Sequence, residues 1–416
     1  MNIGIVTAWF ESGAGYVSRL YLDTLAKRHN VFIYARGGEY APKDLEKART
    51  DPNWNPPYVT WGKKSIPFVL TAIDLDDLQK WVESCNIELV IFNEQWNWPP
   101  VVLCNKLEIK TGAYVDYYNE DTIPLFDAYD FLLCNTRRHY SVFDWHPQCI
   151  YIPWGTALDL FKPHSLEPVR AGNVTFFHSS YHGAERKGTD LVIKAFAELP
   201  EQAILIVHTK AELKEVFPSL KTTVENLERS GRLISHHETV SAPGLYHLGD
   251  VYVYPSRLEG IGLTIAEALA CGLPVITSNN PPMNEFVEHG KNGRLVAIDR
   301  LVARPDGYYW PKCYPNMESL REQMNYYIDN INDLKLFKTQ ARAWAEAKMD
   351  WGKNSAFLSE RVTNIAKRPR ELLEQAGQKA LVYETQHGPL YQRFPKTYAL
   401  LRAGNFVVKG LRRIFR

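Results

Sequence analysis

The apolar runs of this chain are short, and their alternation with helical spacing begins twice. Ile3 to Thr7 has the length and composition of a buried strand. Tyr16 to Arg28 places Val17, Leu20, Tyr21 and Leu25 on one helical face, and Val31 to Ala35 supplies a second strand, which completes a β-α-β unit. Leu89 to Phe92, Ala113 to Val115 and Phe131 to Cys134 continue the series. At 151–163 the chain reads Tyr-Ile-Pro-Trp-Gly-Thr-Ala-Leu-Asp-Leu-Phe-Lys-Pro, where two prolines and a glycine suit a stiff connector. The rhythm then restarts: strands at Val174 to His178, Ile204 to Val207, Val251 to Tyr254 and Val275 to Thr277, with a helix from about Asp190 to Ala197. Parallel sheets with crossover helices produce such a pattern. Two restarted halves predict an α/β protein of two doubly wound, Rossmann-like domains facing across a cleft. Leu334 to Ile365 reads as helical.

Length and charge narrow the function classes. A chain of 416 residues corresponds to two or three domains at about 100–200 residues each. A formal net charge of +1 argues against a globally basic nucleic-acid binder. Cys85, Cys104, Cys134, Cys149, Cys271 and Cys313 form no C-x-x-C pair, the usage of a reduced compartment. No basic n-region or cleavage site marks the N-terminus, and no apolar run approaches the roughly 18 residues of a membrane span. A cytoplasmic location is expected. From Gly388 to Arg416 there are seven Lys or Arg and no Asp or Glu, interleaved with apolar residues. Such a basic amphipathic tail suits either an anionic bilayer surface, and hence a peripheral place on the inner face of the membrane, or a solvated or packed terminal helix.

The chemistry concentrates in the run 255–276. It begins Pro255-Ser256-Arg257-Leu258-Glu259-Gly260-Ile261-Gly262-Leu263-Thr264-Ile265-Ala266-Glu267 and continues through Pro274 to Ile276. Two carboxylates stand eight residues apart, the first beside a Gly-x-Gly turn and the second inside the helix that follows. Thr264-Ile265-Ala266-Glu267 also fits a capping box, which would give Glu267 a purely structural task. A second cluster, Glu185-Arg186-Lys187-Gly188-Thr189-Asp190, follows the Val174 strand, and a third, Ser12-Gly13-Ala14-Gly15-Tyr16, follows the first strand. The glycine cluster lacks the full G-x-G-x-x-G pattern because Ser18 occupies its last position, which disfavours a nicotinamide enzyme. Asp74-Leu75-Asp76 formally fits a metal-binding D-x-D, but its acidic setting reads as a helix start. Scattered histidines such as His236 and His237 lack zinc spacing.

The run 255–276 resembles the nucleotide-sugar site of the family 4 retaining glycosyltransferases, which have the GT-B fold. The similarity is strongest from about Tyr151 to Val296 and absent from the tail. It implies an N-terminal, acceptor-side domain over 1–150 and a nucleotide-sugar domain over 151–345. Residues 346–416 would then hold a crossover helix returning to the first domain, followed by the basic tail. By the same resemblance Glu259 holds hydroxyls of the donor sugar, Glu267 holds the nucleotide ribose, and Lys187 contacts the donor diphosphate. Gly13, Gly15, Arg186, Gly260, Ile261, Gly262 and Leu263 complete the donor-binding set. No metal is expected, so a cation must offset charge on the departing nucleotide. Glu259, Lys187 and Asp116 are the candidate catalytic residues. Asp116, in Ala113-Tyr114-Val115-Asp116-Tyr117-Tyr118, stands where many family members carry a histidine; it is either an acceptor-hydroxyl partner or a structural cap.

The family's usual arginine before the lysine is replaced by His178-Ser179-Ser180-Tyr181-His182-Gly183, with Arg186 as a substitute of unassured direction. Beyond a strand end, Asn93, Glu94 and Trp96, with Tyr118, are candidates for acceptor binding; Trp96 and Trp98 fit a core role as well. The implied activity is transfer of a sugar from a nucleoside diphosphate sugar to a saccharide or lipid-linked saccharide, in cell-surface polysaccharide or glycoconjugate synthesis. The altered arginine and histidine leave an alternative: a catalytically weak nucleotide-sugar-binding or scaffold subunit of a glycan assembly complex. A GT-B epimerase is disfavoured by the glutamate pair.

Overall fold

The computed structural model describes residues 1–36, 42–63, 71–164, 172–181 and 183–401. Arg402, Lys409, Arg412, Arg413 and Arg416 of the basic tail, and His182 of the segment before Lys187, lie outside the described residues. The chain forms two compact units. One comprises Met1–Cys134, His139–Ile152 and Ser355–Arg416, the other Asn135–Arg138 and Pro153–Asn354. The chain therefore passes into the second unit after Ile152 and returns at Ser355, beside sequence-based divisions after 150 and 345.

The first unit is a seven-stranded parallel sheet. Its strands are β1 (Asn2–Thr7), β2 (Asn30–Ala35), β3 (Val59–Trp61), β4 (Leu89–Asn93), β5 (Lys110–Tyr114), β6 (Phe131–Cys134) and β7 (Cys149–Tyr151). Their order is β3-β2-β1-β4-β5-β6-β7, with Ile3 opposite both Val31 and Leu89. The order reverses between β1 and β4, which is where ligands gather in open sheets of this type.

The returning segment is tied to this sheet by a buried charge. Asp130, immediately before β6, accepts hydrogen bonds from the Thr111 amide (2.8 Å), the Arg368 amide (2.8 Å) and the Lys367 ammonium (3.1 Å), and it is fully buried. The helix Arg370–Gln386 follows, burying Leu373, Ala376, Gly377, Ala380 and Glu384, which fall on one helical stripe.

The second unit repeats the plan with β8 (Val174–Tyr181), β9 (Ala203–Thr209), β10 (Leu233–His236), β11 (Val251–Tyr254), β12 (Val275–Ser278) and β13 (Gly293–Val296). The order is β10-β9-β8-β11-β12-β13, all parallel, so the reversal lies between β8 and β11. Phe176, Leu205, Val207, Val251, Val253 and Ile276 from the central strands share a core with Val192, Phe196, Leu320 and Met324. Both halves are thus doubly wound, Rossmann-like parallel sheets. The expected stiff connector is packed into this unit: the Thr156 amide donates to the Met349 carbonyl at 2.8 Å, and the Trp154 ring lies 5.0 Å from Trp351.

Among the described residues of the two parallel sheets, four strands, β3, β7, β10 and β13, have no counterpart in the sequence reading, and all four are sheet edges. Among the described residues, no helix is long and apolar enough to cross a membrane.

Asp130→Ala removes the counter-charge of Lys367 and leaves two amides without their acceptor. It is expected to destabilise the first unit by about 3 kcal/mol, read as a lower denaturant midpoint. An unchanged midpoint would remove Asp130 as the anchor of the returning segment.

Candidate functional site

The reversal between β8 and β11 positions two loops side by side in the second unit. The loop after β8 carries Arg186 and Lys187, and the loop after β11 carries Glu259. Glu259 is buried, and one of its oxygens, Oε1, accepts from Arg186 Nη1 (2.9 Å), the Tyr254 hydroxyl (2.7 Å) and the Ser256 hydroxyl (2.7 Å). Arg186 also donates to the Leu258 carbonyl. Among the described residues no hydrogen bond is made to Oε2. Burial alone would raise the Glu259 pKa; the Arg186 and Lys187 charges and the two hydroxyls overcome it and bring the value down to about 2.

Lys187 and Arg186 reach the same place. The Lys187 Cε and an Arg186 guanidinium nitrogen lie 3.5 and 3.6 Å from the point where a Cβ on Gly183 would stand. The Lys187 ammonium sits 5.3 Å from the centre of the Tyr254 ring and, among the described residues, makes no hydrogen bond. Burial pushes its pKa down, Glu259 and Glu267 pull it up, and Arg186 adds to the depression.

The loops keep this geometry because they are stitched together. Gly188 has φ +78°, and a Cβ there would stand 2.4 Å from the Pro255 carbonyl oxygen, so only glycine permits the approach. The Arg257 amide donates to the Arg186 carbonyl at 2.8 Å. The Arg257 guanidinium makes two 2.8 Å bonds to the Asp190 carboxylate and a further bond to the Glu185 carbonyl. Arg138, buried over the Trp310 ring, donates to the carbonyls of Glu259 and Pro281. Beneath the loops His178 donates from Nδ1 to the Val253 carbonyl, so its Nε2 accepts from the Thr189 hydroxyl. Burial lowers its pKa to about 4, which leaves it a neutral pillar between β8, β11 and the helix Thr189–Ala197.

Glu267 lies in the helix Leu263–Ala270, whose N-cap is Gly262 at φ +90° and has no side-chain cap. The capping box is therefore not formed. Glu267 instead accepts from the Tyr246 hydroxyl at 2.6 Å. Burial raises its pKa, against the opposing pull of that hydroxyl and of Lys187. The Ile261 side chain is buried, so a ligand at this turn would meet backbone and not the Ile261 side chain.

The first-unit candidates divide. Glu94 (φ +52°) and the half-buried Asp116 stand just beyond β4 and β5, and the half-buried Trp96 ring lies 5.0 Å from Tyr117. Gly13 opens the helix Gly13–Leu25. The Gly15 amide is already held by Ser12 Oγ at 3.2 Å, and a Cβ at Gly15 would meet the Phe10 carbonyl at 2.1 Å, so its glycine is required for packing.

Two acceptor-side assignments need correction. The Asn93 amide nitrogen donates to Ala14 O (3.0 Å) and Ser18 Oγ (2.7 Å), which makes Asn93 a brace between β4 and that helix. Tyr118 is 1% exposed, bonded through its hydroxyl to His139 Nδ1 and packed edge-on against Phe126 and Phe143, so it belongs to the wall of the unit. Asp74 caps the helix Leu75–Ser84 by accepting from the Asp77 amide, as its acidic setting implied. Among the described residues no group of three or more metal-binding side chains occurs.

Residues 169–302 match the family described as glycosyl transferases group 1. The matched segment contains both loops, Glu259 and Glu267. Among curated relatives, the lipopolysaccharide core biosynthesis mannosyltransferase LpsB of Rhizobium meliloti (strain 1021) is 31% identical over 128 residues, 29% of this chain and 36% of that protein. The GtfA subunit of the UDP-N-acetylglucosamine–peptide N-acetylglucosaminyltransferase of Streptococcus pneumoniae serotype 4 is 31% identical over 265 residues, 58% of this chain and 48% of that one. The chain thus spans less than half the length of these relatives. Two solved structures share the fold. A sucrose-phosphate synthase from Thermosynechococcus elongatus has a TM-score of 0.66 at 16% identity, covering 87% of this chain and 98% of its own. Anabaena HepE in complex with UDP has a TM-score of 0.65 at 16% identity, covering 87% and 99%.

The Arg257–Asp190 pair holds the group 1 site together, so Arg257→Ala should cost about 3 kcal/mol. Removing Asp190 as well should recover part of that loss in a double-mutant cycle; strictly additive losses would deny the pair this role. Acid supplies a second test. Glu259 is depressed in the folded state, so its contribution is fully present above the ordinary carboxylate range. It is lost as pH falls from about 4.5 through about 2, on the order of 3 kcal/mol. Glu259→Gln should flatten stability against pH across that window.

Proposed function

We propose that this chain is a retaining glycosyltransferase that moves a sugar from a nucleoside diphosphate sugar to a saccharide or lipid-linked saccharide acceptor. The observation that carries the reading is the placement of the Lys187 ammonium beside the ionised Glu259 and within electrostatic reach of Glu267, at the strand reversal of a group 1 domain. In this reading Lys187 offsets the charge of the leaving diphosphate, and no metal is needed. Glu259 Oε2 takes sugar hydroxyls while Oε1 stays fixed by its three donors. Glu267 and the backbone of Gly260, Gly262 and Leu263 receive the ribose and phosphate. Asp116 orients the acceptor hydroxyl, and attack comes from the leaving-group face with retention at the anomeric carbon.

The printed relatives support the substrate classes: HepE was solved with UDP, and LpsB is a lipopolysaccharide core mannosyltransferase. They favour a role in polysaccharide or glycoconjugate synthesis. The basic segment 388–416 suits a peripheral position on an anionic membrane, since Leu390, Phe394, Leu400 and Leu401 are exposed beside Arg393 and Lys396.

The full chain is to be incubated with UDP-, GDP-, ADP- and dTDP-sugars and with p-nitrophenyl glycosides of glucose, galactose, mannose and N-acetylglucosamine. Transfer or donor hydrolysis is expected, with the product configuration read by NMR. A charged hydrogen bond is worth roughly 1.5–3 kcal/mol, so Glu259→Ala should lower turnover by about one to two orders of magnitude, and Lys187→Ala at least as much. Unchanged kcat/KM in both variants would remove these residues from the reaction. Binding without turnover across the panel would favour the nucleotide-sugar-binding or scaffold subunit instead.

A further inference from the structure

The loop beyond β4 is held by a carboxylate from the far end of the chain. Glu384, in the last turns of the helix Arg370–Gln386, is 7% exposed. Its Oε1 accepts from the Asn97 side-chain amide at 2.9 Å, and its Oε2 accepts from the Trp98 backbone amide at 2.7 Å. Asn97 is also bound on its other side. The Thr71 hydroxyl donates to Asn97 Oδ1 at 2.9 Å and accepts from the amides of Trp96 (3.0 Å) and Asn97 (3.2 Å). Gln95 Nε2 bridges the carbonyls of Thr71 and Asn97, and Gln392 Nε2 donates to the Trp96 carbonyl at 2.7 Å.

Two non-glycine residues in this small region, Thr71 (φ +58°) and Glu94 (φ +52°), have left-handed backbones. Such conformations persist only where the surroundings over-determine them. A carboxylate kept inside the unit by burial, on the stripe where the helix otherwise buries Leu373, Ala376 and Ala380, is a further departure from local preference. Burial also raises the Glu384 pKa, against the pull of its two donors.

We infer that Glu384 is a positioning residue: its two-bond clamp fixes the loop Glu94–Trp98 so that Glu94 and Trp96 face a saccharide acceptor at the strand reversal of the first unit. The inference rests on the proposed transferase reading for the acceptor. It stands on its own for the clamp. Glu384 touches no reacting atom in this scheme, so its loss acts on acceptor recognition and leaves donor chemistry alone.

The test compares full-length Glu384→Ala and Glu384→Gln with Leu373→Ala, which removes a buried side chain from the same helix without touching the loop. Amide hydrogen exchange across 94–98 should quicken at least 10-fold in Glu384→Ala. It should quicken less in Glu384→Gln, which keeps one acceptor oxygen, and stay near wild type in Leu373→Ala. With the p-nitrophenyl glycoside that serves best as acceptor, the Glu384→Ala KM for acceptor should rise about 10-fold or more. Donor KM and donor hydrolysis should stay within twofold. Equal exchange in Glu384→Ala and Leu373→Ala, or equal rises in donor and acceptor KM, would overturn the inference. If wild type shows neither transfer nor hydrolysis, the transferase reading fails and the acceptor role with it, while the exchange comparison still decides the clamp.

Discussion

A buried carboxylate has to be paired, and the pairing of Glu259 organises the whole second unit. Stripped of partners, an ion in that position would neutralise itself by taking a proton. Arg186, Tyr254 and Ser256 converge on one of its oxygens, and Lys187 adds a second positive charge nearby. Those partners come from the end of β11 and from the loops after β8 and β11, whose Arg186 contacts span 72 and 73 residues of chain. The loops can meet only because β8 and β11 are neighbours at the strand reversal. The doubly wound topology is thus the precondition of the charge cluster. Gly188, Arg257 and Arg138 are the means by which two mobile kinds of segment are held to it.

How much of this was legible in the sequence follows from burial. The central strands are covered on both faces, so β4, β6, β11 and β12 appear as continuous apolar runs and were found within a residue or so. The edge strands β3, β7, β10 and β13 are partly exposed, are three or four residues long, and carry polar residues such as Thr60, Ser235 and Arg294. Nothing in their composition separates them from loops. The carboxylate pair was legible because the glycines and the spacing repeat a local pattern. Arg257, Asp190 and Arg138 were not, because an ion pair 67 residues apart leaves no local trace.

The misread residues in the first unit share one physical cause. The rule that ligands gather beyond strand ends locates a neighbourhood but says nothing of side-chain direction. Asn93 closes β4 and turns inward, where its amide ties the strand to Ala14 and Ser18. Tyr118 lies four residues past β5 and packs into a cluster of rings. Polar groups at strand ends serve the fold first wherever a helix start must be fixed, because an unpaired buried amide is costly. Glu384 is the converse case. It lies on the buried stripe of Arg370–Gln386, a helix the sequence reading did not single out, and only the fold shows that its partners are Asn97 and Trp98.

The charge balance of the second unit also explains why its two cations are not equivalent. Arg186 spends its guanidinium on Glu259 and the Leu258 carbonyl, so its charge is largely cancelled before any ligand arrives. Lys187 keeps its three donors free of hydrogen bonds among the described residues and is held in place by the Tyr254 face and the surrounding carboxylates. On the proposed donor, a diphosphate would meet one unspent ammonium and the N-terminus of the helix Leu263–Ala270. Burial raises the Glu267 pKa, against the opposing pull of the Tyr246 hydroxyl and of Lys187. On that proposed reading, Arg186 serves to fix the Glu259 carboxylate, and Lys187 is the cation that would face the phosphate.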